Sequence, residues 1–244
     1  MPEIPTCECV RGLPLSDKLA ALYCQFKAIA DGEITPVVPE PDILWWEFTE
    51  GSGTAIGATV GPNGTTDASW VTGKTGSGFA LDFNGTNQDA ATSAAVTYGT
   101  NTITICAWVF PRAAAGTRML FESSASYGNP NCFGIFVDGA LLYVSNSGAT
   151  GERQEFTASA AAGAWVHLAV VLTPTDNKIF LNAVEQATTI QINTRTGTAD
   201  YATQTLFVGA RNNSSLFANG SLDDLRIYSG DVSADLAAIM ADAQ

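Results

Sequence analysis

The sequence predicts an all-β chain folded as a sandwich or a closed sheet. From Ile43 to about residue 229, short runs rich in Val, Ile, Phe, Tyr and Trp alternate with clusters of Gly, Asn, Asp, Ser and Thr. No long helical period interrupts that texture, so a sandwich or closed sheet is needed to bury one face of each strand. At 46% hydrophobic and 14% charged over 244 residues, the chain has material for a large core and should bury roughly 70% of its extended surface.

Before the strands, Leu19, Leu22, Tyr23, Phe26 and Ile29 follow the spacing of one apolar helix face. A helix is expected over residues 16–31, with Ser16 and Asp17 at its start and Gly32 past its end. A helix this short needs a surface to dock on, so residues 1–31 read as an anchor segment, attaching to a scaffold or to further copies of the chain. Residues 32–42 hold Pro36, Pro39 and Pro41 and read as a stiff spacer, leaving 43–244 as the β domain. Within it, the run from Gly134 to Val144 around Asp138-Gly139 is the sharpest hairpin signal. Residues 178–182 and 206–209 read as further strands. Leu236, Ile239 and Met240 behind Ser233 predict a short, packed C-terminal helix over residues 233–243.

Composition excludes several functions. With 11 Lys+Arg against 24 Asp+Glu, the net charge of −13 repels nucleic acid. The apolar runs at residues 103–110 and 165–172 are too short to cross a bilayer. The N-terminus lacks basic and apolar signal-peptide regions, so synthesis in a cytoplasm without a leader is expected. Five cysteines are an odd number, and Cys7, Cys9 and Cys24 lack a fourth zinc ligand. Asn63, Asn84, Asn212, Asn213 and Asn219 stand in Asn-x-Ser/Thr triplets, read here as turns.

Several segments resemble a known family in a collinear order. They are Trp46-x-Phe48-x-Glu50-Gly51-Ser52-Gly53, Gly73 to Gly85, Thr102 to Val109 around Trp108, Trp165-Val166-His167, Ile179 to Asn182, and Gly220 to Tyr228 with the helix behind it. Together they are similar to laminin-G-like domains with the concanavalin A type jelly roll, over residues 43–242. The resemblance implies a two-sheet antiparallel jelly-roll sandwich used for binding glycans or proteins. Two positions depart from the family pattern: Gln88 stands in a loop where a carboxylate is expected, and Ala183 replaces the Gly after Asn182.

No catalytic constellation emerges. His167, the only histidine, lies among apolar neighbours and reads as a packed or sheet-surface residue rather than a general base. The carboxylates Glu152 and Glu155 are three apart, on opposite faces of any strand, and read as a solvated loop. Strand periodicity puts Asp223 on one face with Leu225 and Ile227, aimed at the core, where its partner must be backbone amide or an ion. The resemblance implies that the ion would be a structural calcium, with Glu50 or Asn84 adding oxygens; no cofactor is otherwise required. Rim-loop aromatics and amides, Tyr127, Asn129, Asn131, Tyr201 and Asn212, are the candidate glycan contacts.

The order helix, Pro-rich spacer, lectin-like sandwich is that of an anchored binding head, and the N-terminal stretch is similar to the anchors of phage virion proteins. The expectation is a non-enzymatic structural or adhesive protein, a homo-oligomer on a virion surface as a capsid decoration or tail appendage. It would meet a virion scaffold and cell-surface glycans, but neither nucleic acid nor the membrane interior. The alternatives are a soluble, surface or extracellular bacterial lectin and a glycan-cleaving enzyme.

Overall fold

The computed structural model describes residues 37–76, 78–112, 116–124 and 129–242. The expected helix over 16–31 and the anchor positions Leu19, Leu22, Tyr23, Phe26 and Ile29 lie outside these residues, as does Tyr127. Pro39–Gln244 forms one compact unit.

Two antiparallel sheets make a sandwich, as expected. The eight-stranded sheet runs in the order β14 (Val184–Glu185), β13 (Asn177–Leu181), β12 (Val166–Leu172), β7 (Ile103–Pro111), β17 (Asn219–Ser229), β5 (Phe79–Asn84) and β4 (Ser69–Thr72). Strand β1 (Leu44–Trp46) also pairs with β17. The nine-stranded sheet runs β15 (Thr189–Asn193), β11 (Glu152–Ala158), β10 (Leu141–Ser147), β9 (Phe133–Asp138), β8 (Thr117–Ser123), β16 (Leu206–Val208), β6 (Ala90–Thr92), β3 (Gly64–Thr66) and β2 (Ala55–Ile56). Alternate residues of both sheets meet in one apolar core, including Ile103, Ile105, Val170, Leu225 and Ile227 from one side and Phe121, Ile135, Val144 and Val208 from the other. Glu152 to Glu155 belongs to β11 rather than to a loop, and its two carboxylates do take opposite faces.

Strand β17 departs from simple alternation. Its pairing with β7 shifts between Asp223 and Arg226, where Asp224 adopts φ 49°. Two residues, Asp224 and Leu225, stand opposite Ala107, which is a β-bulge. Leu222, Leu225 and Ile227 therefore all enter the core, while Asp223, Arg226 and Tyr228 take the outward face. The expected core-facing Asp223 is thus corrected, because a period-2 count across Asp223–Leu225 fails at a bulge.

The turns follow from their residues. In the β9–β10 hairpin Asp138 pairs with Leu141, so the turn is Gly139-Ala140, one residue beyond the expected Asp138-Gly139. Positive φ falls on Gly139 alone, the pattern of a type II′ turn. In the β13–β14 hairpin Leu181 pairs with Val184, and Asn182 and Ala183 have φ 51° and 62°. That is a type I′ arrangement, which favours Asn-Gly. At the C-terminus α1 (Leu236–Asp242) buries Leu236 and Ile239 after a 3-10 turn at Ser233–Asp235. Ser233 is not the capping side chain: Asp231 Oδ1 accepts from the Ser233 amide at 2.9 Å.

Two outcomes are expected from this geometry. Ala183→Gly should raise stability by about 0.5–1 kcal/mol in urea titration, because Gly relieves the left-handed strain of an L side chain. Asp224→Ala should cost about 3–5 kcal/mol, since Asp224 Oδ1 accepts from Trp45 Nε1 at 2.9 Å and from the buried Arg226 Nε at 2.8 Å. Asp224→Asn keeps an acceptor and tolerance of positive φ, and should lose much less.

Candidate functional site on the outer face of the nine-stranded sheet

Cross-strand register gathers one surface from four consecutive strands. Glu122, Gly134, Ser145 and Gln154 stand opposite one another across β8, β9, β10 and β11. Two pairing positions along lies a second row, Met119, Phe136, Tyr143 and Phe156, about 7 Å from the first. The β9–β10 turn fixes this match, because it puts Phe136 opposite Tyr143. The two rings are parallel at 5.2 Å, and Phe156 follows at 5.3 Å. All three rings are half-buried, leaving one side of an aromatic strip accessible.

The polar row is recessed beside that strip. Glu122 is buried and pushed up in pKa by desolvation, against the opposing pull of Arg211 and the Asn212 amide. Its Oε2 accepts from the Asn212 N–H at 3.0 Å, and Arg211 Nε lies 3.4 Å from Oε1. Ser145 donates to Glu152 Oε1, so a second carboxylate borders the same face. Gly134 contributes no side chain, and a small depression forms over it among Glu122, Ser124, Cys132, Ser145 and Ser147. Aromatic faces beside hydroxyl, amide and carboxylate acceptors suit a ligand that alternates C–H faces with hydroxyls.

The rim residues read from sequence are only partly brought here. Asn212 is exposed at φ 46° and joins the site through its amide to Glu122. Asn129 and Asn131 are half-buried, and Asn131 is held at φ 56° by backbone bonds with Gly148 and Ala202. Tyr201 is corrected: it is 4% exposed, its ring packs edge-on against Tyr98 and Phe133, and its hydroxyl donates to Asn146 Oδ1 at 3.0 Å. It is a core residue. Phe136, Tyr143 and Phe156 were not singled out from sequence, although Phe136 and Tyr143 flank the strongest hairpin signal.

The oxygens expected around a calcium ion do not fit one. Asp223 Oδ2 accepts from the Lys74 amide at 2.8 Å, Asn84 Oδ1 from the amides of Thr86 and Asn87, and Glu50 Oε1 from the Gly57 amide. Asn84 sits opposite Asn219, four residues and about 13 Å along β17 from Asp223. Among the described residues, no three His, Cys, Asp or Glu side chains group to hold a metal.

His167 lies on the other sheet, facing outward against Trp108 with ring centroids 5.3 Å apart. Lys74 Nζ stands 3.7 Å from the Trp108 centroid, and Arg226 is on the same face. Burial, then Arg226 and Lys74, push the imidazole down to about 4 from 6.5. Its unfolded form binds a proton first, so this histidine lowers stability as pH falls from 6.5 through 4. Asp223 has the opposite sign: desolvation raises it to about 6 from 3.8, so it adds stability as pH falls from 6 toward 4. His167→Phe should therefore gain on the wild type by on the order of 3 kcal/mol between pH 7 and pH 4, and Asp223→Asn should decline in acid more steeply than the wild type. Urea titrations across that range check both.

The comparisons agree with the fold. The sequence pattern of the concanavalin A-like lectin/glucanases superfamily, Laminin_G_3, matches residues 83–236. A search of the curated proteins finds no significant match. Among solved structures, Trypanosoma rangeli sialidase in complex with 2,3-difluorosialic acid superposes with TM-score 0.64 and 14% identity, over 85% of this chain and 34% of that one. Domain 4 of AbnA, a GH43 extracellular arabinanase from Geobacillus stearothermophilus bound to arabinotriose, gives 0.60 and 18%, over 84% of this chain and 100% of that one. The binding domain of botulinum neurotoxin serotype D gives 0.62 and 9%, over 84% and 52%. This chain thus spans about a third of the sialidase and half of the toxin domain, and at such identities the likeness is one of fold. With well over half of its length matched, the chain belongs to the concanavalin A-like lectin/glucanases superfamily.

Proposed function

We propose that the protein is a non-enzymatic recognition module that holds a glycan along the outer face of its nine-stranded sheet. The observation that carries this reading is the strip Phe136–Tyr143–Phe156 running beside the polar row Glu122–Ser145–Gln154. Apolar sugar faces would lie on the rings, and hydroxyls would meet the recessed acceptors. The superfamily and the glycan-bound arabinanase domain support the ligand class.

Binding without cleavage is supported by the engagement of both carboxylates at this face. Glycoside hydrolysis needs a pair of carboxyl groups flanking the scissile bond. Here Glu122 is held by the Asn212 amide and Arg211, and Glu152 by the Ser145 hydroxyl. The lone histidine is buried on the opposite sheet.

A glycan array followed by calorimetry on the best ligand tests the reading. Tyr143→Ala and Phe156→Ala should each weaken binding at least tenfold while leaving the melting temperature within a few degrees, and the ligand should be recovered uncleaved. Unchanged affinity in both variants, or hydrolysis of the ligand, would overturn it. Display on a phage particle, through an anchor at residues 1–31, is supported by the order of helical pattern, spacer and sandwich. Detection of the chain in purified particles checks that part separately.

A further inference from the structure

We infer that the sandwich carries a second binding site, between its sheets, for an apolar chain such as that of a medium-chain fatty acid. Native interiors are packed without voids much larger than a water molecule. Here a cleft of about 380 Å³ opens between the inner faces at one end of the sandwich, which is the size of a small-ligand site.

Its walls are inward-facing side chains of both sheets. Val109, Leu168 and Leu181 line it from one side, and Leu120, Val137 and Leu142 from the other. Leu120, Val137 and Leu181 pack against the core yet remain only partly buried, because they face the cleft. Leu120 reaches it through a second bulge: the β8–β9 register shifts between Met119 and Phe121, and the extra residue is this leucine.

Small residues keep the mouth open. The Gly139-Ala140 turn, the run Ser159–Ala162 and the segment Ala218–Gly220 border it, and none offers a side chain large enough to close it. Two of its glycines are required by close approach. A Cβ at Gly209 would sit 2.7 Å from the Phe83 ring, and one at Gly220 would sit 2.3 Å from the Phe110 carbonyl oxygen. The guanidinium groups at the edge are engaged in fixing the rim: Arg118 donates to the Gly85 and Phe217 carbonyls, and Arg112 pairs with Asp82.

A sugar would bury hydroxyls against these apolar side chains, which disfavours it. An alkyl chain has no polar group to strand there and gains from leaving water. This site is separate from the outer-face aromatic strip, so it does not depend on the glycan reading.

The test is fluorescence titration of the full chain with 11-(dansylamino)undecanoic acid, followed by competition with dodecanoate and dodecanol. Saturable binding at one equivalent is expected, with displacement by both competitors because the chain is what is recognised. Ala160→Phe and Leu120→Trp, which fill the cleft from different walls, should each weaken binding at least tenfold with circular dichroism and melting temperature preserved. Tyr143→Ala should leave it unchanged. Absence of saturable binding, or full affinity in either folded filling variant, would overturn the inference, as would displacement by dodecanoate but not dodecanol.

Discussion

The bulge at Asp224 is the constraint on which the rest of the sandwich depends. Strand β17 lies near the centre of the eight-stranded sheet and changes neighbour at this point. Its first half pairs with β5 through Asn219–Leu222, and its second half pairs with β1 through Leu225–Ile227. One inserted residue lets Leu222 and Leu225, an odd three apart, both point inward. Without it, either the half of the core beneath β5 or the half beneath β1 would receive polar side chains. Asp suits the site twice over: it tolerates positive φ better than most side chains, and its carboxylate accepts from Trp45 and Arg226.

That parity switch also creates a polar layer outside the eight-stranded sheet. Arg226 is 1% exposed, an expensive place for a guanidinium unless it is paired. Asp224 binds its Nε, Asp242 at the end of α1 binds Nη1, and the Trp45 ring lies 4.7 Å from its central carbon. The same face holds the C-terminal segment through Thr104, whose hydroxyl donates to the Gly230 carbonyl and accepts from the Val232 amide. The helix is short and has little intrinsic stability, so these contacts and the burial of Leu236 and Ile239 keep it in place. His167 and Asp223 are buried beside this layer, and their opposite responses to acid follow from the desolvation common to both.

The two sheets thus use their outer faces differently. On the eight-stranded sheet the outward charges of Asp224 and Arg226 pair with each other, with Trp45 and with Asp242. On the nine-stranded sheet the outward rings of Phe136, Tyr143 and Phe156 stack along the strand-to-strand direction and stay half-buried. The end cleft has a third origin, in glycine and alanine segments that bring the backbones together without filling the space between the sheets.

The sequence alone determined the all-β class, the strand-rich region from Ile43 onward, the hairpin around Gly139, the short C-terminal helix and the family. All of these rest on local alternation, turn chemistry and the order of motifs, which the chain states residue by residue. Only the tertiary structure decided the facing of Asp223, the burial of Tyr201 and the separation of Asn84 from Asp223. A single bulge inverts every side chain beyond it, and periodicity has no term for an inserted residue. Tyr201 sits in a segment with loop-like composition, but its ring fills a gap between Tyr98 and Phe133, which are distant in sequence. The aromatic strip and the end cleft were hidden for a related reason. Each is assembled from several strands, and a turn displaced by one residue, from Asp138-Gly139 to Gly139-Ala140, moves the pairing of β9 with β10 by two positions and decides whether Phe136 meets Leu141 or Tyr143.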